Sequence, residues 1–505
     1  AVMECVLKNL AAVHDDADGP DLHGRNTVDQ KSARISNIID TINKKGQTAM
    51  IEAANLQNWD IVQFLLEKGA DPIISSTVCG DNVLHIATEY GQITMITSIC
   101  NLFPSAINSV NAKKETPIFS AVRSRIKEVV DCVLRFGSTV AEDPDSNLQK
   151  IAEQKSLNIA RAFDVQNVYG ETPIIVAANI PDLEMVSHLL SLGADPMIVT
   201  RSGLSLLHLA ATTGQDDIID AIFKPVRVYS WAINSKDRLG NTPLILAMRW
   251  ENLHCAEALL DHGAGQTVSD KYGRSPLHYA AQNRWVGIAK TLLFKAHPNY
   301  INAQDDLKET PLSLAVSRFQ QLRDPQAIAM MEFLLQNGAD QRIRDFFENT
   351  QLHIAAILHL VEIVKVLLKF ANPIIINAKT PQGKTPLHLV LEKGKPFYDP
   401  EIVEIAKILI ESGADPTISD QNLDTALHYA ALYSFAKNAE LILDWAKISE
   451  QDIVNAPNSQ GKTALHLAVE STAHLGDDLR VEMIEVLLKY GANRWIFDDL
   501  GKTPV

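Results

Sequence analysis

Cysteine is scarce in this chain: five in 505 residues, at Cys5, Cys79, Cys100, Cys132 and Cys255, with no Cys-x-x-Cys among them. That excludes a paired disulfide framework. Together with the lack of any Asn-x-Ser/Thr acceptor, it fits a reducing compartment, the cytoplasm or the nucleus. Long apolar runs are missing too. None approaches the roughly 18 uninterrupted apolar residues of a membrane helix, so direct membrane insertion is not expected. Positive charge is short: 46 Lys and Arg face 61 Asp and Glu, a net −15 with no basic stripe, which argues against a nucleic-acid partner. Catalytic signatures are also absent. The chain carries no His-Glu-x-x-His, no Gly-x-Ser-x-Gly and no kinase set. Three Gly-Lys-Thr triplets, at Gly383, Gly461 and Gly501, lack the earlier glycine of a phosphate loop, since Ala378, Ala456 and Ile496 stand there. No enzyme activity, cofactor or metal site is expected.

What the chain does have is a segment that keeps returning. A start such as Gly46-Gln47-Thr48 or Gly383-Lys384-Thr385-Pro386-Leu387-His388 leads into a small-residue stretch such as Leu207-His208-Leu209-Ala210-Ala211. An aliphatic run follows, and then a close such as Gly69-Ala70-Asp71, Gly193-Ala194-Asp195 or Gly413-Ala414-Asp415. Starts fall at Gly46, Gly80, Lys114, Gly170, Gly203, Gly240, Gly273, Lys308, Glu348, Gly383, Leu423, Gly461 and Gly501, giving twelve full repeats and the opening of a thirteenth. The letters make one supersecondary element. The opening Gly permits a turn with positive φ, Thr caps the helix that follows, and Pro takes its first position, where no N–H is needed. Small residues such as Ala53, Ala54, Ala280 and Ala281 let the first helix pack closely. Runs such as Ile61, Val62, Phe64, Leu65 and Leu66 bury a second helix. One such repeat cannot bury its own apolar face, so neighbours must stack.

At periods of 20–50 residues this pattern resembles the ankyrin repeat, from about residue 45 to the end. The resemblance implies an all-α, curved solenoid of helix-turn-helix repeats joined by β-turn or hairpin connections. Residues 1–44 read as an N-terminal segment with a capping helix, including a short helix over 2–13 and an acidic loop, and 45–505 as the array. Seven histidines, His85, His208, His278, His353, His388, His428 and His466, share one place in the repeat. They are expected to tie neighbouring turns together rather than to hold metal.

Three irregularities mark the array. The interval from Lys114 to Gly170 is 56 residues, with an irregular insertion at about 138–168; helix over 145–163 and an eroded extra repeat are expected there. Closes also alternate: Gly263-Ala264, Gly338-Ala339, Gly413-Ala414 and Gly491-Ala492 interleave with enlarged closes at Ile301-Asn302-Ala303, Ile376-Asn377-Ala378 and Val454-Asn455-Ala456, as though a two-repeat module had been copied. Three repeats carry extra residues between their helices, at about 317–325, 393–400 and 471–479, expected as loops on one face.

The resemblance places binding residues where the first helix ends and the second begins, along the concave groove. Trp59, Arg249, Trp250, Arg284, Trp285, Arg318, Phe319, Tyr433 and Phe435 fall there, side-chain types that often dominate interfaces. Arg249, Trp250, Arg284 and Trp285 are expected to form the strongest cluster. The expected function is a scaffold or adaptor that binds a partner protein through the groove and the insertions. The alternative is the ankyrin regulatory or targeting region of a larger channel, enzyme or pathogen effector whose active domain lies elsewhere in the same full-length chain, with the last repeat read as truncated.

Overall fold

The computed structural model describes residues 39–137, 163–224, 232–294, 298–322, 324–392, 400–470 and 477–504, and at 298–299, 318–322 and 477 it describes the backbone alone. The expected short helix over 2–13, the helix over 145–162 and most of the loops at 393–400 and 471–479 lie outside these residues. The described chain is α-helical with short 3₁₀ turns; no strand occurs among the described residues, only an isolated bridge between Ser419 and Thr425. It divides into two compact bodies, Ala1–Gly265 and Gln266–Val505.

Each repeat is built as its letters require, as the repeat opening at Gly240 illustrates. Thr242 is extended (φ −88°, ψ 162°), its hydroxyl accepts from the Ile245 amide, and Pro243 takes the first helical position of Pro243–Arg249. The helix is only seven residues long, too short to persist alone. Its stability comes from burial: Leu244, Ile245, Leu246, Ala247 and Met248 are all in the core, joined by Cys255, Ala256, Leu259 and Leu260 of the second helix, Leu253–Asp261. Each fully buried aliphatic side chain contributes about 1.5–3 kcal/mol relative to exposure. First helices pack on first helices and second on second, as Val83–Glu89 does on Pro117–Arg123 and Ile93–Leu102 on Lys127–Gly137.

The thirteen openings read from the sequence share one backbone state, with φ between 58° and 82° at every one, including the non-glycines Lys114, Lys308, Glu348 and Leu423. At Gly80 the turn also brings chains close: a Cβ there would lie 2.4 Å from the Ala112 nitrogen. A side-chain carbonyl or carboxylate three residues earlier fixes many of these turns. Asp305 Oδ1, for example, accepts from the Leu307 and Glu309 amides, both at 2.9 Å. The resulting hairpin fingers stand beside the first helices.

The seven histidines do what their position implies. Nδ1 of His388 accepts the Thr385 amide at 3.2 Å and meets its hydroxyl at 2.8 Å, which leaves Nε2–H to donate to the Asp424 carbonyl of the next finger at 3.2 Å. His85, His208, His278, His353, His428 and His466 repeat the step to Glu115, Asn241, Glu309, Ala378, Lys462 and Lys502.

Alternation has a structural cause. The enlarged closes contain short helical turns, Ala232–Asn234, Pro298–Asn302 and Pro373–Ile376, and each supplies an asparagine that grips the next Gly-Ala close. Asn377 Oδ1 accepts from the Asp415 amide at 2.9 Å while its Nδ2 donates to the Gly413 carbonyl at 3.1 Å. Asn302 and Asn455 make the same pair of bonds to Asp340 with Gly338 and to Asn493 with Gly491. Asp40 holds the Asp71 amide in the same way. One expectation is corrected: residues 317–322 form no loop, because the first helix runs on as Pro311–Leu322 and the second begins at Pro325. Its polar run Arg318, Gln320 and Gln321 contains no residue that stops a helix.

Candidate protein-binding face

The side shared by fingers and first helices is laid out in rungs. One residue after an opening lies on the finger, the residue nine after the opening lies at the end of the first helix, and at four openings the two meet. Arg123 donates to Glu115 at 2.9 Å, Asn179 to Glu171 at 3.1 Å, Lys384 to Glu392 at 2.6 Å and Lys462 to Glu470 at 2.5 Å. Burial alone would raise the Glu115 carboxyl, but Arg123 and the amides of Asn111 and Asn167 outweigh it and hold it below the ordinary value.

In the second body a polar cavity of about 360 Å³ lies between the fingers at 422–424 and 458–460, lined among others by Glu392, Asp424, Tyr429, Tyr433 and Gln460. The Tyr429 hydroxyl donates to Asp420 Oδ2 at 2.8 Å, and the Lys384 ammonium stands 5.3 Å from its ring centre. Burial raises the phenols of Tyr429 and Tyr433; Asp420 and Glu392 add to the shift of Tyr429, and Glu392 to that of Tyr433. A larger cavity of about 560 Å³ lies away from the fingers, between helices Ala436–Ile448 and Asp477–Lys489. Polar groups at its edge are engaged with their own neighbours: Lys489 with Glu440 at 2.9 Å and Tyr490 with Asp444 at 2.5 Å.

The residues singled out in the sequence do not share one setting. Arg249 ends its helix on the surface and Trp250 follows it, 60% exposed. Tyr433 and Phe435 lie side by side, half-buried, with ring centres 6.2 Å apart. Others serve the stack: Trp59 meets Tyr90 of the next repeat edge-on at 6.3 Å, and Arg284, in the left-handed region at φ 62°, reaches Asp324 at 3.5 Å. Trp285 is half-buried. Arg249 and Trp250 belong to the first body, Arg284 and Trp285 to the second. Arg318 and Phe319 lie on the helix Pro311–Leu322, in the stretch described by backbone alone.

Sequence reasoning missed the fingertips. Tyr169, Leu239, Tyr272, Leu307, Phe347 and Leu500 each precede an opening and each is exposed, Phe347 at 74% beside Phe346 at 64%, their rings 5.6 Å apart and edge-on. The signal was available as an apolar letter recurring just before the opening residue, where a solvated turn calls for none.

Family models for "Ankyrin repeats (3 copies)" match residues 221–305, 323–420 and 397–498, and the single "Ankyrin repeat" matches 45–76 and 169–201. The chain belongs to the ankyrin-repeat family. Ankyrin repeats are a protein-interaction fold rather than a catalytic one. Among curated proteins, this ankyrin chain is 26% identical over 401 residues to the E3 ubiquitin-protein ligase KEG of Arabidopsis thaliana, a match covering 77% of the chain and 22% of the ligase. It is 24% identical over 431 residues to the human transient receptor potential cation channel subfamily A member 1, covering 79% of the chain and 33% of the channel. It is also 26% identical over 305 residues to mouse NF-kappa-B inhibitor delta, covering 56% of the chain and 91% of the inhibitor. The chain thus spans a third or less of the ligase and the channel. A crystal structure of the ankyrin repeat domain of Bcl-3 aligns with 50% of the chain and 98% of that domain, at 23% identity and a TM-score of 0.39. No described helix is long and apolar enough to cross a membrane.

Proposed function

We propose that this ankyrin array is a scaffold or adaptor that binds a partner protein along the face shared by fingers and first helices, in the cytoplasm or nucleus, without cofactor or chemistry of its own. The observation that carries this reading is the row of exposed fingertip side chains. A turn needs Gly, Asn or Asp for its geometry, not Phe or Tyr. Six openings nonetheless follow an exposed apolar residue, where burial against another protein would recover the cost of wetting it. Trp250 of the first body and Tyr433 and Phe435 of the second are assigned as contact positions of their own bodies, and Trp59, Arg249, Arg284, Trp285, Arg318 and Phe319 as supporting ones.

A second reading is favoured by one observation: the ligase and the channel are far longer than the segment this chain matches. On that reading the array is the regulatory or targeting region of a larger protein, and its partner is another domain of the same chain. Phe346→Ser with Phe347→Ser separates binding from folding. Partner capture from lysate is expected to fall about tenfold, in line with the loss of one or two interface anchors, with an unchanged melting curve. Capture unaffected by the pair would place the interface elsewhere.

A further inference from the structure

The fingers of the second body contain an internal comparison. At the opening Lys308 the carboxylates three before and one after, Asp305 and Glu309, are bridged by one guanidinium: Arg274 Nε donates to Asp305 Oδ2 and Nη2 to Glu309 Oε2, both at 3.0 Å. At the opening Leu423 the same two positions hold Asp420 and Asp424, and the residue at the place of Arg274, one after the preceding opening, is Lys384. Its shorter reach goes to Glu392 at 2.6 Å instead. Asp420 Oδ2 accepts from the Tyr429 hydroxyl, and Asp424 Oδ1 accepts from the Asn458 amide at 2.9 Å.

No cation reaches Asp424 among the described residues, because the rung position nine after Leu423 is Leu432. Lys462 on the far finger is held by Glu470. Two carboxylates, Glu392 and Asp424, therefore line the 360 Å³ cavity together with Tyr433, and the nearby Lys384 ammonium pairs with Glu392 alone among the described residues. In the first body Asp81 makes the same contact with Asn111 at 2.9 Å, but Ile86 stands where Tyr429 does.

We infer that this cavity receives an arginine side chain of the partner protein, with its guanidinium on Asp424 and Glu392 and its stem against Tyr433. The inference rests on the partner-binding reading and names the chemistry recognised there. Arginine fits better than lysine because its planar fork engages two carboxylates at once and stacks on aromatic faces, and because the chain itself uses a guanidinium on this pair of positions at Arg274. The volume lies within the roughly 300–1,000 Å³ of small-ligand sites, room for one long side chain and adjoining backbone.

The test is saturation-transfer NMR on the full chain with an acetylated Gly-Ser-Gly-Arg-Gly-Ser-Gly peptide, its citrulline counterpart and its lysine counterpart, at millimolar concentration. Saturation is expected to reach the arginine methylenes. It should fall about tenfold for citrulline and for Asp424→Asn, the scale of one charged hydrogen bond, and stay unchanged for the remote Glu411→Gln. Asp424→Asn keeps the acceptor for Asn458; should its melting curve shift, Tyr433→Leu provides the second variant, with the same expected loss. Equal signals from arginine and citrulline, no arginine signal at all, or full binding by both variants would overturn the assignment. If partner capture remains sensitive to Phe346→Ser with Phe347→Ser in that case, only the arginine pocket is rejected; if capture is insensitive too, the partner-binding reading falls with it.

Discussion

At the residue scale, the openings decide the turns, and their energetics differ by residue. Leu423 holds φ 60° with a Cβ, a conformation that costs an L-residue about 1–2 kcal/mol. Leu423→Gly is therefore expected to stabilise the second body by about 1 kcal/mol, after the greater chain entropy of glycine is set against the relieved strain. Gly80→Ala has the opposite sign, since its Cβ would meet the Ala112 nitrogen at 2.4 Å; a loss of more than about 2 kcal/mol is expected. Urea midpoints of the two variants check both. These openings were legible because they recur at one place in the repeat, non-glycines included. Rungs such as Lys384 with Glu392 were not, although the letters are only eight apart, because the pairing needs the finger folded back beside its helix.

Two-repeat modules are the natural element of this chain. Asn377 bonds the next close through both ends of its amide, so Asn377→Ala removes two hydrogen bonds at once. A loss of about 1–3 kcal/mol is expected, read as a lower urea midpoint of the second body. Asn377→Asp is expected to fall between, since a carboxylate still accepts from Asp415 but cannot donate to Gly413. The alternation of closes was readable from spacing alone; that the asparagine is the clamp was not, since its partner lies 36 to 38 residues away. The extra residues at 317–322 read as a loop by length, yet helical hydrogen bonds carry them on from Pro311 because nothing in the run breaks a helix.

Over the whole molecule the histidines act together. Burial lowers His85, His208, His278, His353, His388 and His428 below the ordinary imidazole value, with His353 and His388 brought to about 4. The unfolded chain binds protons near pH 6.5 and the folded chain only below that, so unfolding takes up protons in between. Stability is full above about pH 6.5 and is lost as pH falls toward 4, by about 3 kcal/mol at pH 4 for each of His353 and His388. The raised carboxyls of Asp40, Asp164 and Glu309 oppose this over the carboxylate range. Thermal melts at pH 7.5 and 5 are expected to show the drop, and His388→Gln should reduce its steepness; a flat profile would contradict the neutral-histidine ladder.

Fold and repeat count were legible throughout the described array, because every repeat states the same local rules. The face that meets a partner was legible only in part: Trp250, Tyr433 and Phe435 stand out as residue types, whereas the fingertips and the Asp424 cavity depend on which groups the stack leaves uncovered.

The most direct test places a photo-crosslinking phenylalanine derivative at Phe347 on a fingertip and, in a second protein, at Ile448 at the end of a second helix, 83% exposed. Irradiation in cell lysate is expected to attach a defined protein at position 347 and nothing specific at 448. A defined adduct at 448 with none at 347 would contradict the account.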